Sequence, residues 1–117
     1  MALKVERYSF GSIQVDGNTY TNDILIYGDQ IKDNWWRERG HSICLQDLDW
    51  LILNHQPENI IIGRGKNGAM TIPGSFTASL DQQGVELIAL PTDDAVQFYN
   101  EAVERGEEVG GGFHLTC

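Results

Sequence analysis

Short alternations of apolar and polar residues fill the N-terminal part of the chain, and from Leu45 onward the spacing becomes that of helices separated by apolar strands. Residues 5–10 and 12–21 read as strands, with Asp16-Gly17 as a tight turn in the second stretch, because period-two patterning punctuated by Gly and Asp is a hairpin signature. A strand over 23–27, a turn at Gly28-Asp29 and a returning stretch over 31–36 extend this opening β-meander. Leu48, Leu51, Ile52 and His55 then share one helical face, with Asp47 near its start and Pro57 just past its end. Residues 59–63 are apolar enough for a central strand; a short helix over 74–83, stopped by Gly84, and a strand over 85–90 complete a β-α-β unit. Ala95, Phe98, Tyr99, Ala102 and Val103 mark the last helix, between a Thr92 cap and Gly106. Gly110-Gly111-Gly112 leads into a closing strand over 113–116. A meander followed by alternating strands and helices predicts an α/β fold layered around a central mixed β-sheet, with about three helices.

With 117 residues the chain is expected to form a single domain, residues 1–117, large enough for a core without metal or disulfide staples. Its formal net charge of -9 argues against nucleic acid and anionic membrane as partners, since the long-range field repels polyanions. No run approaches the roughly 20 apolar residues of a membrane span, and no basic start is followed by an apolar stretch. Two cysteines, Cys44 and Cys117, do not make a secreted disulfide framework. Location in the cytoplasm is the expectation.

The strand 59–63 runs into Gly63-Arg64-Gly65-Lys66-Asn67-Gly68, a G-x-G-x-x-G of the kind that brings backbone N–H groups to an anion. A dinucleotide site also needs a helix opening at the third glycine and an acidic residue about 20 positions on. Helix signals begin only after Pro73-Gly74, and Asp93 stands at the start of the last helix, where a carboxylate suits the dipole. No cofactor is expected. His41-x-x-Cys44 and His114-x-x-Cys117 carry zinc-ligand types, but residues three apart on a strand point to opposite faces, so no metal site is expected either.

Several separated blocks carry a wider resemblance: Trp36-Arg37-Glu38 with His41-Ser42, Ile62-Gly63-Arg64-Gly65, Ala95-Val96 with Tyr99-Asn100, and Val109-Gly110-Gly111 through Phe113-His114 to Thr116-Cys117. In these the chain resembles the Mth938-like domain family over nearly its whole length, closest to the adipogenesis-associated Mth938 domain-containing proteins. The resemblance implies a compact three-layer α/β domain. It also implies kinship with an assembly factor for mitochondrial respiratory complex I and with proteins tied to fat-cell differentiation, and no established catalytic activity. The family's glycine motif is G-x-G, so Gly68 lies outside it, and here only Arg39 and Gly40 separate Glu38 from His41, a shorter connection than in the relatives.

Of the eight Lys and Arg residues, Arg37, Arg39, Arg64 and Lys66 fall in two short segments of an otherwise acidic chain. The expected function is a non-catalytic binding or assembly module, whose cleft between a loop carrying Trp36, Arg37 and His41 and a loop carrying Gly63, Arg64, Gly65 and Lys66 takes a protein segment or a small anion. The Trp35-Trp36 pair is the candidate anchor for a partner, with a place in the core the equal alternative for Trp36 and the stronger one for Trp50. The simpler reading of the arginines is ion pairing with Asp33, Glu38 or other surface carboxylates. The alternative is a small-metabolite enzyme or nucleotide-binding protein using the Gly63 to Gly68 segment with His41 or Cys117; Cys44 and His114 are its other candidate nucleophile and base. The protein is expected to be a monomer or weak homodimer.

Overall fold

The computed structural model describes residues 2–37 and 42–116. β1 (Val5–Ser9), β2 (Ser12–Val15) and β3 (Asn18–Tyr20) form an antiparallel sheet of three strands, closed by tight turns at Phe10-Gly11 and Asp16-Gly17. Asp16, Gly11 and Gly17 take the positive φ those turns require. β4 (Ile24–Tyr27), β5 (Gln30–Lys32), β6 (Asn59–Arg64), β7 (Glu86–Leu90) and β8 (Val109–His114) form the second sheet, in the order β5-β4-β8-β6-β7. It is mixed: β4 runs antiparallel to β5 and β8, while β6 is parallel to both β7 and β8.

Three layers result. On one face of the larger sheet, Ile24, Ile26, Ile61, Val109 and Phe113 pack with Ile13 and Val15 of the small sheet and with Ala95, Tyr99 and Ala102 of α3 (Thr92–Glu104). On the other face, Leu25, Ile60 and Ile62 meet Leu48 and Leu51 around α1 (Asp49–Asn54) and Phe76 and Leu80 of α2 (Gly74–Gln82). Alternate residues of each central strand point into opposite cores, which is why these strands read as unbroken apolar runs. No helix among the described residues is long and apolar enough to cross a membrane.

Four local expectations are corrected. The stretch 31–36 pairs back only as far as Lys32, because Asn34 adopts a φ of 56° and turns the chain so that Trp35 drops into the core. The helix expected from Leu45 starts as a 3-10 turn, Leu45–Leu48, and becomes α-helical only over α1. Thr92 does not cap α3: Pro91 stands at that position, and Thr92 is buried with its hydroxyl between the Gly65 N–H and the His114 carbonyl. The glycine run does not lead into β8 but lies inside it, at the centre of the sheet. A Cβ at Gly110 would sit 2.9 Å from Leu51, at Gly111 2.8 Å from Phe113, and at Gly112 3.0 Å from Leu25, so these glycines serve close packing rather than flexibility.

Candidate functional site

The open end of β8 is where chemistry-bearing side chains converge. Asp23, immediately before β4, is the hub: its Oδ2 accepts a hydrogen bond from Arg37 Nη2 at 2.7 Å and lies 2.8 Å from His114 Nδ1, and its Oδ1 accepts from the Leu115 N–H at 2.8 Å. Its backbone carbonyl accepts from Trp35 N–H at 2.7 Å, so the turn at Asn34 brings both Trp35 and Arg37 to one residue, the first to its carbonyl and the second to its carboxylate. Trp35 is itself fixed by its Nε1 donating to the Asp47 carbonyl at 2.8 Å, and the Arg37 guanidinium lies over the Trp35 ring, 4.8 Å from its centroid.

The Arg37 and His114 side chains are only 5% and 7% exposed, and that of Asp23 15%. Burial by itself raises the Asp23 pKa, but hydrogen bonds from His114, from the Leu115 N–H and from Arg37, with the Arg37 charge, outweigh it and hold the carboxyl below its usual value. A carboxylate only accepts and a guanidinium only donates. His114 Nδ1 therefore carries its proton toward Asp23, and the 3.1 Å approach of Arg37 Nη2 to Nδ1 follows from both groups meeting at one oxygen. The charge of Arg37 is matched inside the protein.

Above this network lies a cavity of about 280 Å³ with mostly apolar walls, lined by Trp35, Trp36, Arg37, Asp23, His114 and Thr116 among others. Trp36 stands on its rim, 76% exposed. Larger depressions lie between β1 and α3 and along α2 and β7, at about 480 and 570 Å³, but neither gathers a comparable buried polar network.

The glycine loop lies at the neighbouring strand end, with Arg64 opposite His114 in the ladder, yet Gly63, Arg64, Gly65 and Lys66 are not among the residues lining the cavity. Its polar groups are largely spent internally. Gly65 N–H donates to Thr92 Oγ1 at 2.9 Å, Thr92 Oγ1–H donates to the His114 carbonyl at 2.6 Å, and Lys66 N–H donates to the Thr116 carbonyl at 2.9 Å. Gly68 N–H bonds back to Gly65, and α2 opens only at Gly74. Arg64 Nε donates to the Met70 carbonyl at 2.9 Å, and Lys66 pairs with Asp93 at 2.9 Å on the surface. Gly63 is needed for space, since a Cβ there would stand 2.8 Å from Thr92 Oγ1, and Gly65 takes a φ of +94°.

The structure thus brings Trp36, Arg37 and His114 of the sequence candidates together, and adds Asp23. His41 and Cys117, with Glu38 and Arg39, lie outside the described residues. Cys44 is half-buried, and desolvation pushes its thiol pKa up, away from the thiolate that a nucleophile requires. His55 ends α1 and stacks on Tyr27 at 4.7 Å, with Trp50 edge-on at 4.6 Å, as a packed side chain. In the sequence Asp23 stands only as the polar start of an apolar strand, and His114 only as a ligand or base. The available signal is a histidine within a strand apolar enough to be buried, which demands a partner.

The comparisons with known proteins bear on the whole of this frame. A family profile described as protein of unknown function (DUF498/DUF598) matches residues 5–114. The chain belongs to that family. Among solved structures it is similar to MT938, with 28% identity, 99% of this chain and 100% of that chain covered, and a TM-score of 0.80. It is also similar to the conserved hypothetical protein PH1505 from Pyrococcus horikoshii OT3, at 22% identity over 97% of this chain and 99% of that one, TM-score 0.83. A Mth938-like domain protein of Bordetella pertussis, solved in solution, matches at 18% identity over 97% of this chain and 85% of that one, TM-score 0.76. The family's architecture is therefore the three-layer α/β domain described above.

Proposed function

We propose that this DUF498/DUF598 protein is a non-catalytic binding or assembly module that holds a segment of another protein in the Trp36 cavity. The observation that carries this reading is the pairing of a 76% exposed tryptophan with an apolar-walled cavity at whose floor Asp23, Arg37 and His114 bond to one another. A large aromatic exposed beside a pocket is the kind of anchor that dominates protein interfaces. Phe10, 56% exposed, supports the same surface: the N–H of its neighbour Gly11 bonds the Leu115 carbonyl, which puts that turn beside the same end of β8. The resemblance to adipogenesis-associated Mth938 domain proteins and to a complex I assembly factor supports an assembly role.

A small anion is the weaker ligand for this site. Arg37 is charge-matched by Asp23, Arg64 is turned to Met70, and Lys66 is paired with Asp93. Catalysis by His114 would need its outer ring nitrogen presented to a substrate, and Nε2 is buried. The partner segment is therefore one that inserts an aliphatic or aromatic side chain beside Trp36, with basic flanks that suit a chain of net charge -9.

The test is selection of peptides from a displayed random library on the purified protein, followed by calorimetric titration of the selected sequences. Selected peptides should share an apolar anchor and lose at least about tenfold in affinity on Trp36→Ala, the scale of a modest hot spot. Recovery of no peptide above background, or equal affinity for Trp36→Ala, contradicts the proposal.

A further inference from the structure

The larger sheet ends differently at its two edges. β5 is short and polar, with Gln30 and Lys32 exposed and Asp29 and Asp33 on either side, features that discourage strand addition. β7 carries Leu87-Ile88-Ala89-Leu90, all half-buried, with Glu86 as its one charge, and no strand among the described residues lies outside it. α2 leaves a depression of about 570 Å³ along this edge, lined by Thr77, Ala78, Asp81 and Leu87 among others, rather than covering it.

The register fixes which groups the edge offers. Glu86 N–H bonds the Glu58 carbonyl, on the β6 side, so by strand alternation the peptide groups of Glu86, Ile88 and Leu90 face β6 and those of Leu87 and Ala89 face outward. The side chains alternate as well: Leu87 and Ala89 lie toward the α2 core, Ile88 and Leu90 toward the α3 core. The outward groups are thus symmetric about Ile88.

We infer that β7 is a self-association edge, and that its occupant is β7 of a second copy of this chain, added antiparallel about a two-fold axis at Ile88. In that register Leu87 lies opposite Ala89 of the second copy, and each such pair exchanges both of its N–H···O=C bonds, using the outward groups the edge presents. Large opposes small on the α2 side, Ile88 meets itself on the α3 side, and Glu86 faces Leu90 rather than another carboxylate. The interface is isologous and closes as a dimer. Two chains of net charge -9 repel, so the dimer is weak and is strengthened by salt that screens them.

Sedimentation velocity over a concentration series, at low salt and at about 0.5 M salt, tests this. Dimer should grow with concentration and with salt. Ala89→Pro removes an outward N–H without touching the ladder to β6, and Ile88→Lys sets two ammonium groups against each other at the axis. Each folded variant, as shown by cooperative thermal unfolding, should weaken the dimer by about tenfold or more. A protein that stays monomeric to about 1 mM in high salt overturns the inference, as does a dimer that either folded variant leaves unchanged.

Discussion

Asp23 organises the site because three donors meet on its carboxylate, and removing any one leaves a buried group unmatched. Its folded pKa is lowered, so its contribution to stability is fully present above the ordinary aspartate value near 4 and is lost as pH falls through the lower folded value. The gap in melting temperature between wild type and Asp23→Asn should accordingly be widest at neutral pH and narrow below about pH 4, as calorimetry across pH will show. Arg37→Ala strands that carboxylate and is expected to cost on the order of 3 kcal/mol of stability, which makes Trp36→Ala the cleaner probe of binding. Thr92 is a second buried link, joining the Gly65 amide to the His114 carbonyl. Thr92→Val should lose about 1–3 kcal/mol by denaturant unfolding, while Thr92→Ser keeps most of it. At this scale the sequence discloses residue types but not pairings: Arg37 reads as an anion ligand until the fold sets Asp23, 14 residues earlier, at 2.7 Å from it.

Among the elements, β8 governs what the rest can do, since it lies between β4 and β6 and carries His114 to the cavity. Gly→Ala in a strand interior ordinarily stabilises by about 0.5–1 kcal/mol. Gly111→Ala should instead destabilise, by about 1–3 kcal/mol in urea unfolding, because its Cβ would meet the Phe113 ring and Ile26 inside a packed core. The strands β6 and β7, the turns at Asp16-Gly17 and Gly28-Asp29, and helices α2 and α3 are legible because apolar period and breakers agree there. The glycine run is not, because its extended conformation is set by neighbours on both faces, which local propensity does not encode. Likewise the G-x-G-x-x-G resembles an anion cradle, whereas the Gly65 and Lys66 amides are taken by Thr92 and Thr116, groups that only the fold brings near, and the Gly68 amide closes a local turn on Gly65.

For the molecule as a whole, the family and the three-layer architecture follow from several sequence blocks in order, and the mixed sheet explains their spacing: blocks around Arg37, Gly63 and His114 all end near the open end of β8. The proposed binding surface is only half visible in the sequence, with Trp36 and Arg37 on the cavity and the glycine loop beside it. The most direct test of where binding occurs is the amide and indole NMR spectrum of the protein titrated with a peptide selected on it, and separately with inorganic phosphate. Peptide-induced shifts should centre on Trp36, Arg37, Thr21 and Thr116, with the Gly65 to Gly68 amides little moved and phosphate giving no saturable change. Shifts centred on the Gly65 to Gly68 amides, or saturable phosphate binding there, would contradict the Trp36 cavity as the site.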